Sequence, residues 1–345
     1  MSDGFPCVFL AANNGGIGGG EVMLLRIAAA MRELGVDVTA VVPAASPMMT
    51  AVTRTGVPVI PLASRSRFEW MRALRRWDRT RPPGLLWCNG LVPAAATAGR
   101  AHRVVHLHQR PQGLHAPLVT LAQLRAVATL VPSRAMLEAV PHAWVLPNWT
   151  EPIRQANPSP DAEGRMRIGF LGRLGLDKGV HILAQAMGQL EERMPGRFRL
   201  VLAGEPLFVP NGDVEQMEQA LRPVAALTRR VGWVDAADFF DTVDVLVVPS
   251  IVHESFGLVA AEAMAAQVPC IVSDAGALPE VVGPRGDVVP AGDPGALADR
   301  IAEIAEREES SRRAPLFQRW LDEYSPAAGL ARMSALVDVL GVRRA

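Results

Sequence analysis

The chain has 345 residues, of which 49% are hydrophobic and only 5% aromatic, and its formal net charge is zero. This length allows two domains of ordinary size, each with its own core. Because no apolar run reaches the roughly 18 residues of a membrane span and no basic region precedes the first apolar run, the sequence predicts neither a transmembrane helix nor a signal peptide, and we expect a cytoplasmic protein without a nucleic-acid partner.

The charges are unevenly distributed along the chain. Residues 1–160 carry 16 basic and 8 acidic side chains, which leaves 19 basic and 27 acidic side chains for the rest. Such an asymmetry indicates two domains with different partners. Almost every basic residue is an arginine, and Lys178 is the single lysine of the chain.

A glycine-rich segment follows the first predicted strand, Cys7–Ala11, and precedes an apolar-periodic helix. A dinucleotide-binding fingerprint does not fit here, because its third glycine position is occupied by Glu21. The alternative is a flexible turn that binds nothing.

Short buried-strand runs alternate with helical sequence through both halves of the chain. Examples lie at residues 36–43 and 57–61 in the first half, and at 166–173, 199–205 and 244–250 in the second. Strands alternating with helices are typical of parallel βαβ units. The sequence therefore predicts an α/β fold.

The segment Arg65–Arg81 contains seven arginines and is predicted to be a helix. Phe68, Met71 and Leu74 share one face of this helix and arginines the other. Such a pattern fits contact with an anionic membrane surface or with an acidic acceptor. The sequence favours the alternative of a solvated helix whose apolar stripe covers the sheet.

Two histidines lie on the same side of the predicted strand Arg103–Gln109, because side chains alternate along a strand. His108 falls where the strand must end, and strand ends line the ligand crevice of a doubly wound sheet. We therefore select His108 as the functional candidate and assign His106 a structural role.

A proline-rich stretch without periodicity, residues 151–164, predicts the linker between the domains. Beyond it, Arg173 follows a strand and Lys178 precedes a helix that begins at Val180. Two cations at a strand end and a helix start suit an anion with two phosphates better than they suit a packed core.

The stretch Ile251–Gly283 joins an acidic loop to a small-residue helix, a strand and a second glycine turn. Glu254 lies on the loop and Glu262 inside the helix, since the intervening run breaks at Gly257. The first N–H groups of such a helix have no intrahelical partner, which makes its start a candidate anion site.

The pattern of Glu254, seven residues and Glu262, followed by Pro269, Gly276 and Glu280, resembles the signature of the retaining nucleotide-sugar glycosyltransferases of family 4. This is the glycogen-synthase-like group with two facing Rossmann domains. The resemblance is weak through residue 150 and strong from Gly169 to Asp293. The sequence departs from the family pattern at Gln267, where the family usually has a glycine.

The resemblance implies an α/β fold of two facing Rossmann-like domains (GT-B) with a ligand cleft between them. Residues 1–155 would form the acceptor-side domain and residues 156–325 the nucleotide-sugar donor domain. Residues 326–345 would form a helix that crosses back to the N-terminal domain.

The resemblance also implies roles for individual residues. Arg173 and Lys178 would neutralise the leaving diphosphate, Glu254 would bind hydroxyls of the donor sugar, and Glu262 would bind the ribose. The implied catalytic residues are His108, Glu254, Arg173 and Lys178. The implied donor-binding residues are Gly18, Gly19, Gly20, Arg173, Lys178, Gly232, Glu254, Ser255, Phe256, Gly257, Leu258 and Glu262.

No metal and no cofactor are expected. The cysteines, Cys7, Cys88 and Cys270, lie singly in apolar segments without the spacing of a zinc site, and no Asp-x-Asp pair occurs where a sugar nucleotide would bind. The three cysteines are predicted to be small core residues.

The function implied is retaining, metal-independent transfer of a sugar from a UDP- or GDP-sugar to an unidentified acceptor, which could be a small molecule, a glycan or a lipid-linked molecule. Peripheral contact with the inner membrane face through Arg65–Arg81 remains open. One alternative is a nucleotide-sugar-binding module without turnover. Another is a phosphorylase of the same architecture, but the pyridoxal phosphate phosphorylases need a Schiff-base lysine, and Lys178 is assigned to the diphosphate.

Overall fold

The computed structural model describes residues 4–344 except 112, 114, 159, 160, 208 and 308. Two compact units divide the chain: the first takes the chain up to Asn148 and again from Ala327, and the second takes Trp149–Pro326. Each unit is built on a parallel sheet with helices between the strands, so the α/β class predicted from the sequence is confirmed. Among the described residues, no helix has the length and apolar character needed to cross a membrane.

The first unit contains a seven-stranded parallel sheet with the strand order β3-β2-β1-β4-β5-β6-β7. Its strands are β1 (Val8–Ala11), β2 (Val38–Pro43), β3 (Val59–Leu62), β4 (Leu85–Asn89), β5 (Arg103–His106), β6 (Ala128–Val131) and β7 (Trp144–Val145). Its helices before Asn148 are, in chain order, α1 (Gly19–Glu33), α2 (Pro47–Arg54), α3 (Arg67–Asp78), α4 (Leu91–Ala96) and α5 (His115–Gln123). The strand order changes direction between β1 and β4, which makes their carboxyl ends the switch point of this sheet.

Strands β1 and β4 are buried along their whole length. A continuous apolar run is expected for a parallel sheet whose two faces are both covered by helices. Cys88 lies within β4 and is fully buried, and Cys7 just before β1 is half-buried.

The helix predicted within Arg65–Arg81 is present as α3, but its buried face differs from the predicted one. Trp70 and Leu74 are buried, whereas Phe68 is 74% exposed, so the apolar face proposed from the sequence is wrong at Phe68. Trp70 and Leu74 are four residues apart and lie one above the other on a helix. The larger indole fixes which face packs on the sheet, because it buries more apolar area than a phenyl ring.

The second unit contains a six-stranded parallel sheet with the order β10-β9-β8-β11-β12-β13. The strands are β8 (Met166–Leu171), β9 (Phe198–Ala203), β10 (Thr228–Gly232), β11 (Val245–Val248), β12 (Cys270–Ser273) and β13 (Asp287–Val289). The helices are α6 (Val180–Arg193), α7 (Asn211–Leu221), α8 (Ala236–Phe240), α9 (Leu258–Ala265), α10 (Leu278–Val282), α11 (Pro294–Glu306) and α12 (Glu309–Glu323). The switch point of this sheet lies between β8 and β11.

Helix α9 ends with a residue in the left-handed conformation. Gln267, which follows the last turn of α9, has φ +59°. Two hydrogen bonds end the helix here: the Gln267 N–H donates to the Met264 carbonyl at 3.2 Å, and the Val268 N–H donates to the Ala263 carbonyl at 2.9 Å. This is the Schellman arrangement, whose left-handed position favours glycine. The departure from the family pattern noted in the sequence therefore falls on a strained position.

The first residues after Asn148 belong to the second unit, where the sequence analysis placed the limit at residue 155. The Thr150 N–H donates to the Tyr324 carbonyl at 2.9 Å, and the Trp320 indole donates to the Thr150 hydroxyl at 2.7 Å. Of the predicted linker, residues 159 and 160 lie outside the described residues, and its described part has no helix or strand.

After Tyr324 the chain continues as α13 (Pro326–Leu340) and rejoins the first unit at Ala327. There the Phe5 N–H donates to the Gly341 carbonyl at 2.7 Å, and the Arg343 N–H donates to the Phe5 carbonyl at 2.9 Å. These bonds fix the end of the chain to its beginning.

Candidate functional site

In the first unit, the candidate residues lie at the carboxyl ends of the strands around the switch point. The glycine-rich segment follows β1, Asn89 ends β4, and His108 follows β5 by two residues. The strand that carries the histidines ends at His106, so His108 belongs to the loop and not to the strand end itself.

Helix α1 begins within the glycine-rich segment. Gly18 is its N-cap, and the Gly18 N–H donates to the Glu21 carboxylate at 3.1 Å. Gly18 and Gly19 are exposed, whereas Gly20 is half-buried. A Cβ at position 20 would lie 3.2 Å from the His108 ring, so a larger residue there would crowd the histidine.

His108 is held by Asn89. The distance from His108 Nε2 to Asn89 Oδ1 is 2.7 Å, and Asn89 Nδ2 donates to the Gly20 carbonyl at 3.1 Å. Burial lowers the pKa of His108 to about 4, so the ring is neutral near pH 7. The centroid of the His106 ring lies 4.0 Å from the centroid of the His108 ring, and His106 is fully buried.

The candidate residues of the second unit surround its own switch point. Arg173 follows β8 and contacts the Asp177 carboxylate. Lys178 Nζ lies 2.5 Å from Glu254 Oε1, and the Ser250 hydroxyl donates to the same oxygen at 2.7 Å. Both cations proposed to bind diphosphate therefore also have a carboxylate partner within the unit.

Sequence reasoning did not select Ser250 or Asp177. Ser250 lies two residues after β11, at a carboxyl strand end, and its carbonyl accepts a hydrogen bond of 2.6 Å from the buried Ser273 hydroxyl. That position at the switch point was the signal that could have identified Ser250. Asp177 stands four residues after Arg173, and its carbonyl accepts a hydrogen bond from the Ile251 N–H at 3.0 Å.

The loop that carries Glu254 is fixed by its backbone. The Ala277 N–H donates to the Glu254 carbonyl at 2.9 Å. Gly276 has φ +65°, and a Cβ there would lie 2.4 Å from the Glu254 carbonyl oxygen. Gly179, before α6, is also in the left-handed region, and its Cβ would lie 1.8 Å from the Pro249 carbonyl oxygen. Both glycines are needed because two stretches of backbone touch.

Helix α9 starts beside this loop. Gly257, with φ +96°, is its N-cap, and the adjacent Phe256 is buried with its ring edge against Tyr324. Ser255 and Leu258 flank these two residues and are half-buried, as is Glu262 on the second turn. All four alanines of α9 are buried in the core of the unit, so their small size is explained by packing against the sheet.

Gly232 ends β10, away from the β8 and β11 pair. It has φ +69°, and its carbonyl accepts the Gly204 N–H at 2.7 Å. The next residue, Trp233, has a side chain that is 78% exposed. Within the part of the chain that the structure describes, no group of three or more His, Cys, Asp or Glu side chains could hold a metal ion.

Two family models match the chain, one in each half. The model described as Glycosyltransferase Family 4 matches residues 17–154, and the model described as Glycosyl transferases group 1 matches residues 165–307. The chain belongs to glycosyltransferase family 4. The family resemblance drawn from the sequence is therefore confirmed, and the two matches contain every candidate site residue.

Two curated relatives align with this chain over only part of their own length. A phosphatidyl-myo-inositol mannosyltransferase of Mycobacterium leprae is 35% identical over 156 residues, which cover 42% of this chain and 40% of that protein. A GDP-mannose-dependent alpha-mannosyltransferase of Mycobacterium tuberculosis is 27% identical over 284 residues, which cover 78% of this chain and 62% of that protein. Both matches span less than two thirds of the relative's own length.

The fold extends over almost the whole chain. The structure of Anabaena HepE in complex with UDP and glucose matches with a TM-score of 0.80 and covers 97% of this chain and 99% of that chain, at 19% identity. At this identity the likeness concerns the fold, and it confirms the expected GT-B architecture of two α/β domains.

Proposed function

We propose that this protein transfers a sugar from a UDP- or GDP-linked donor to an acceptor, with retention of anomeric configuration and without a metal ion. The observation that carries the proposal is the cluster of Lys178, Glu254 and Ser250 at the switch point of the second sheet, with Arg173 at the end of the adjacent strand. Family membership supports the reaction class.

The two cations would stabilise the leaving nucleoside diphosphate. Arg173 and Lys178 have side chains that are 36% and 30% exposed, so both remain accessible to a ligand. Partly exposed ion pairs contribute about 1 kcal/mol or less to folding. A diphosphate, with more charge than one carboxylate, can therefore displace Asp177 and Glu254 from these cations and accept charge-assisted hydrogen bonds instead.

Displacement by the diphosphate would also free one of these carboxylates, Glu254, to bind the donor. Glu254, freed from Lys178, would accept hydrogen bonds from hydroxyls of the donor sugar, and the first N–H groups of α9 beyond Gly257 would face the diphosphate. Glu262 would bind the ribose. In the first unit, Gly18, Gly19 and Gly20 would offer bare backbone beside the transferred sugar.

The test is a donor panel. Purified protein is incubated with UDP-glucose, UDP-galactose, GDP-mannose and ADP-glucose in excess chelator, and nucleotide release is measured with and without candidate acceptors. We expect one donor to be turned over and the product to keep the donor's anomeric configuration. Tight binding of a donor without turnover with any acceptor would instead favour a binding module.

We also propose that the acceptor side of the first unit contacts an anionic lipid surface. Six arginines of the segment Arg65–Arg81 are exposed, and a groove of about 610 Å³ lies beside the exposed Phe68. Helix α4 contacts both α3 and α5, and α5 and the turn after it carry exposed leucines, Leu118, Leu121 and Leu124. Arginines beside exposed apolar side chains fit an anionic membrane surface.

A further inference from the structure

Three elements of the first unit meet at one side-chain amide. Asn89 ends β4, is 5% exposed, and lies between the first turn of α1 and the loop after β5. Its side chain makes two contacts, one with the Gly20 carbonyl at 3.1 Å and one with His108 Nε2 at 2.7 Å.

The Gly20 carbonyl determines which way the amide points. A carbonyl oxygen can only accept, so the Asn89 NH₂ group must face Gly20. The Asn89 oxygen then faces His108 Nε2, and because that oxygen is also only an acceptor, Nε2 must carry the proton. The reverse orientation would place two oxygens 3.1 Å apart and leave the amide nitrogen beside His108.

The other ring nitrogen has no competing partner. His108 Nδ1 is buried and makes no hydrogen bond with any described residue. A Cβ built on Gly20 would lie 3.2 Å from His108 Cγ and Cδ2, and the centroid of the His106 ring lies 4.0 Å from the centroid of the His108 ring. A proton on Nδ1 would be a buried donor without an acceptor among the described residues, which is unfavourable.

We propose that Asn89 is a positioning residue that fixes His108 in its Nε2-protonated tautomer and ties the imidazole to the first turn of α1. One buried amide thereby sets both the orientation of the histidine and the position of the glycines at the helix start. His108 consequently does not act as a general base through Nε2, because that nitrogen already donates to Asn89. Only the kinetic consequence rests on the proposed transfer reaction.

The primary test is the tautomer itself, measured on the full chain. Long-range ¹H–¹⁵N spectra of ¹⁵N-labelled protein distinguish protonated from unprotonated ring nitrogens, and His108→Gln identifies the His108 signals. We expect the Nε2-protonated neutral form, unchanged from pH 8 to pH 5.5. A neutral ring protonated on Nδ1 in the wild-type protein would overturn the proposal without any variant of Asn89.

Asn89→Leu removes both hydrogen bonds and keeps the branching at Cγ, and Asn89→Asp keeps an acceptor toward His108 while losing the donor toward Gly20. We expect Asn89→Leu to release the tautomer preference and Asn89→Asp to raise the pKa of His108. Ser133→Ala is the matched control, because Ser133 is a buried polar residue of the same unit whose hydroxyl has no partner among the described residues.

The kinetic readout separates positioning from folding. For a folded Asn89→Leu variant we expect kcat for the active donor to fall about 10- to 100-fold, with Ser133→Ala unchanged. An unchanged His108 spectrum in a folded Asn89→Leu variant would refute the role of Asn89. If no donor is turned over by the wild-type protein, the proposed function fails while the tautomer result still decides this inference.

Discussion

Replacing Lys178 by alanine should reduce turnover far more than it reduces stability. Lys178 Nζ lies 2.5 Å from Glu254 Oε1, and the two side chains are 30% and 16% exposed. A pair with this exposure contributes about 1 kcal/mol or less to folding, since water screens its charges. Glu254 also keeps its hydrogen bond from Ser250 after the substitution, at 2.7 Å.

The effect on the reaction is larger because the cation acts where charge develops. Removing one group that stabilises the charge of a leaving group raises a barrier by about 2–4 kcal/mol, which corresponds to a loss of about 30- to 1000-fold in kcat. Steady-state nucleotide release gives kcat, and thermal unfolding of the same sample gives the change in stability.

Two controls make the result decisive. Arg193→Ala removes another partly exposed cation of the same unit, one whose guanidinium lies 2.6 Å from the Asp299 carboxylate, and it should leave kcat unchanged. If Lys178→Ala lowers the melting temperature strongly, the double variant Lys178→Ala/Glu254→Gln removes the unpaired charge and should recover stability without recovering turnover. A folded Lys178→Ala variant with nearly normal kcat would refute the assignment of Lys178 to the leaving group.

Three further predictions concern stability, metal dependence and the membrane. Gln267→Gly should stabilise the second unit by about 0.5–1 kcal/mol, because a left-handed non-glycine residue costs about 1–2 kcal/mol and the greater freedom of the unfolded chain offsets part of the gain. Thermal unfolding measures the change, and an equal gain in Gln267→Ala would contradict the backbone explanation. Activity with the best donor should survive excess chelator, and a loss that magnesium or manganese reverses would contradict the metal-free mechanism. The protein should sediment with anionic but not with neutral vesicles at low salt, and Arg72→Glu/Arg76→Glu should abolish this sedimentation while the control Arg193→Glu/Arg197→Glu does not. Failure to bind anionic vesicles would leave α3 as a helix that only covers the sheet.

The α/β class of both units could be predicted from the sequence, because the period of apolar residues fixes local structure. The runs that end at Ala11 and Leu171 are apolar on both faces, as the strands of a covered parallel sheet must be. Local signals also identified Arg173 and Lys178 as candidates, since cations beside strand ends are visible in the residue order itself, whereas Gly20 was implied by the family resemblance.

Which residues touch was decided only by the tertiary structure. Lys178 and Glu254 are 76 positions apart, and they meet because β8 pairs with β11, with Ile168 opposite Val245. Asn89 could not be selected from the sequence for the same reason: its partners come from α1 and from the loop after β5, which strand order alone brings together. Periodicity specifies the elements, whereas contacts between distant residues depend on the order and register in which the strands pair.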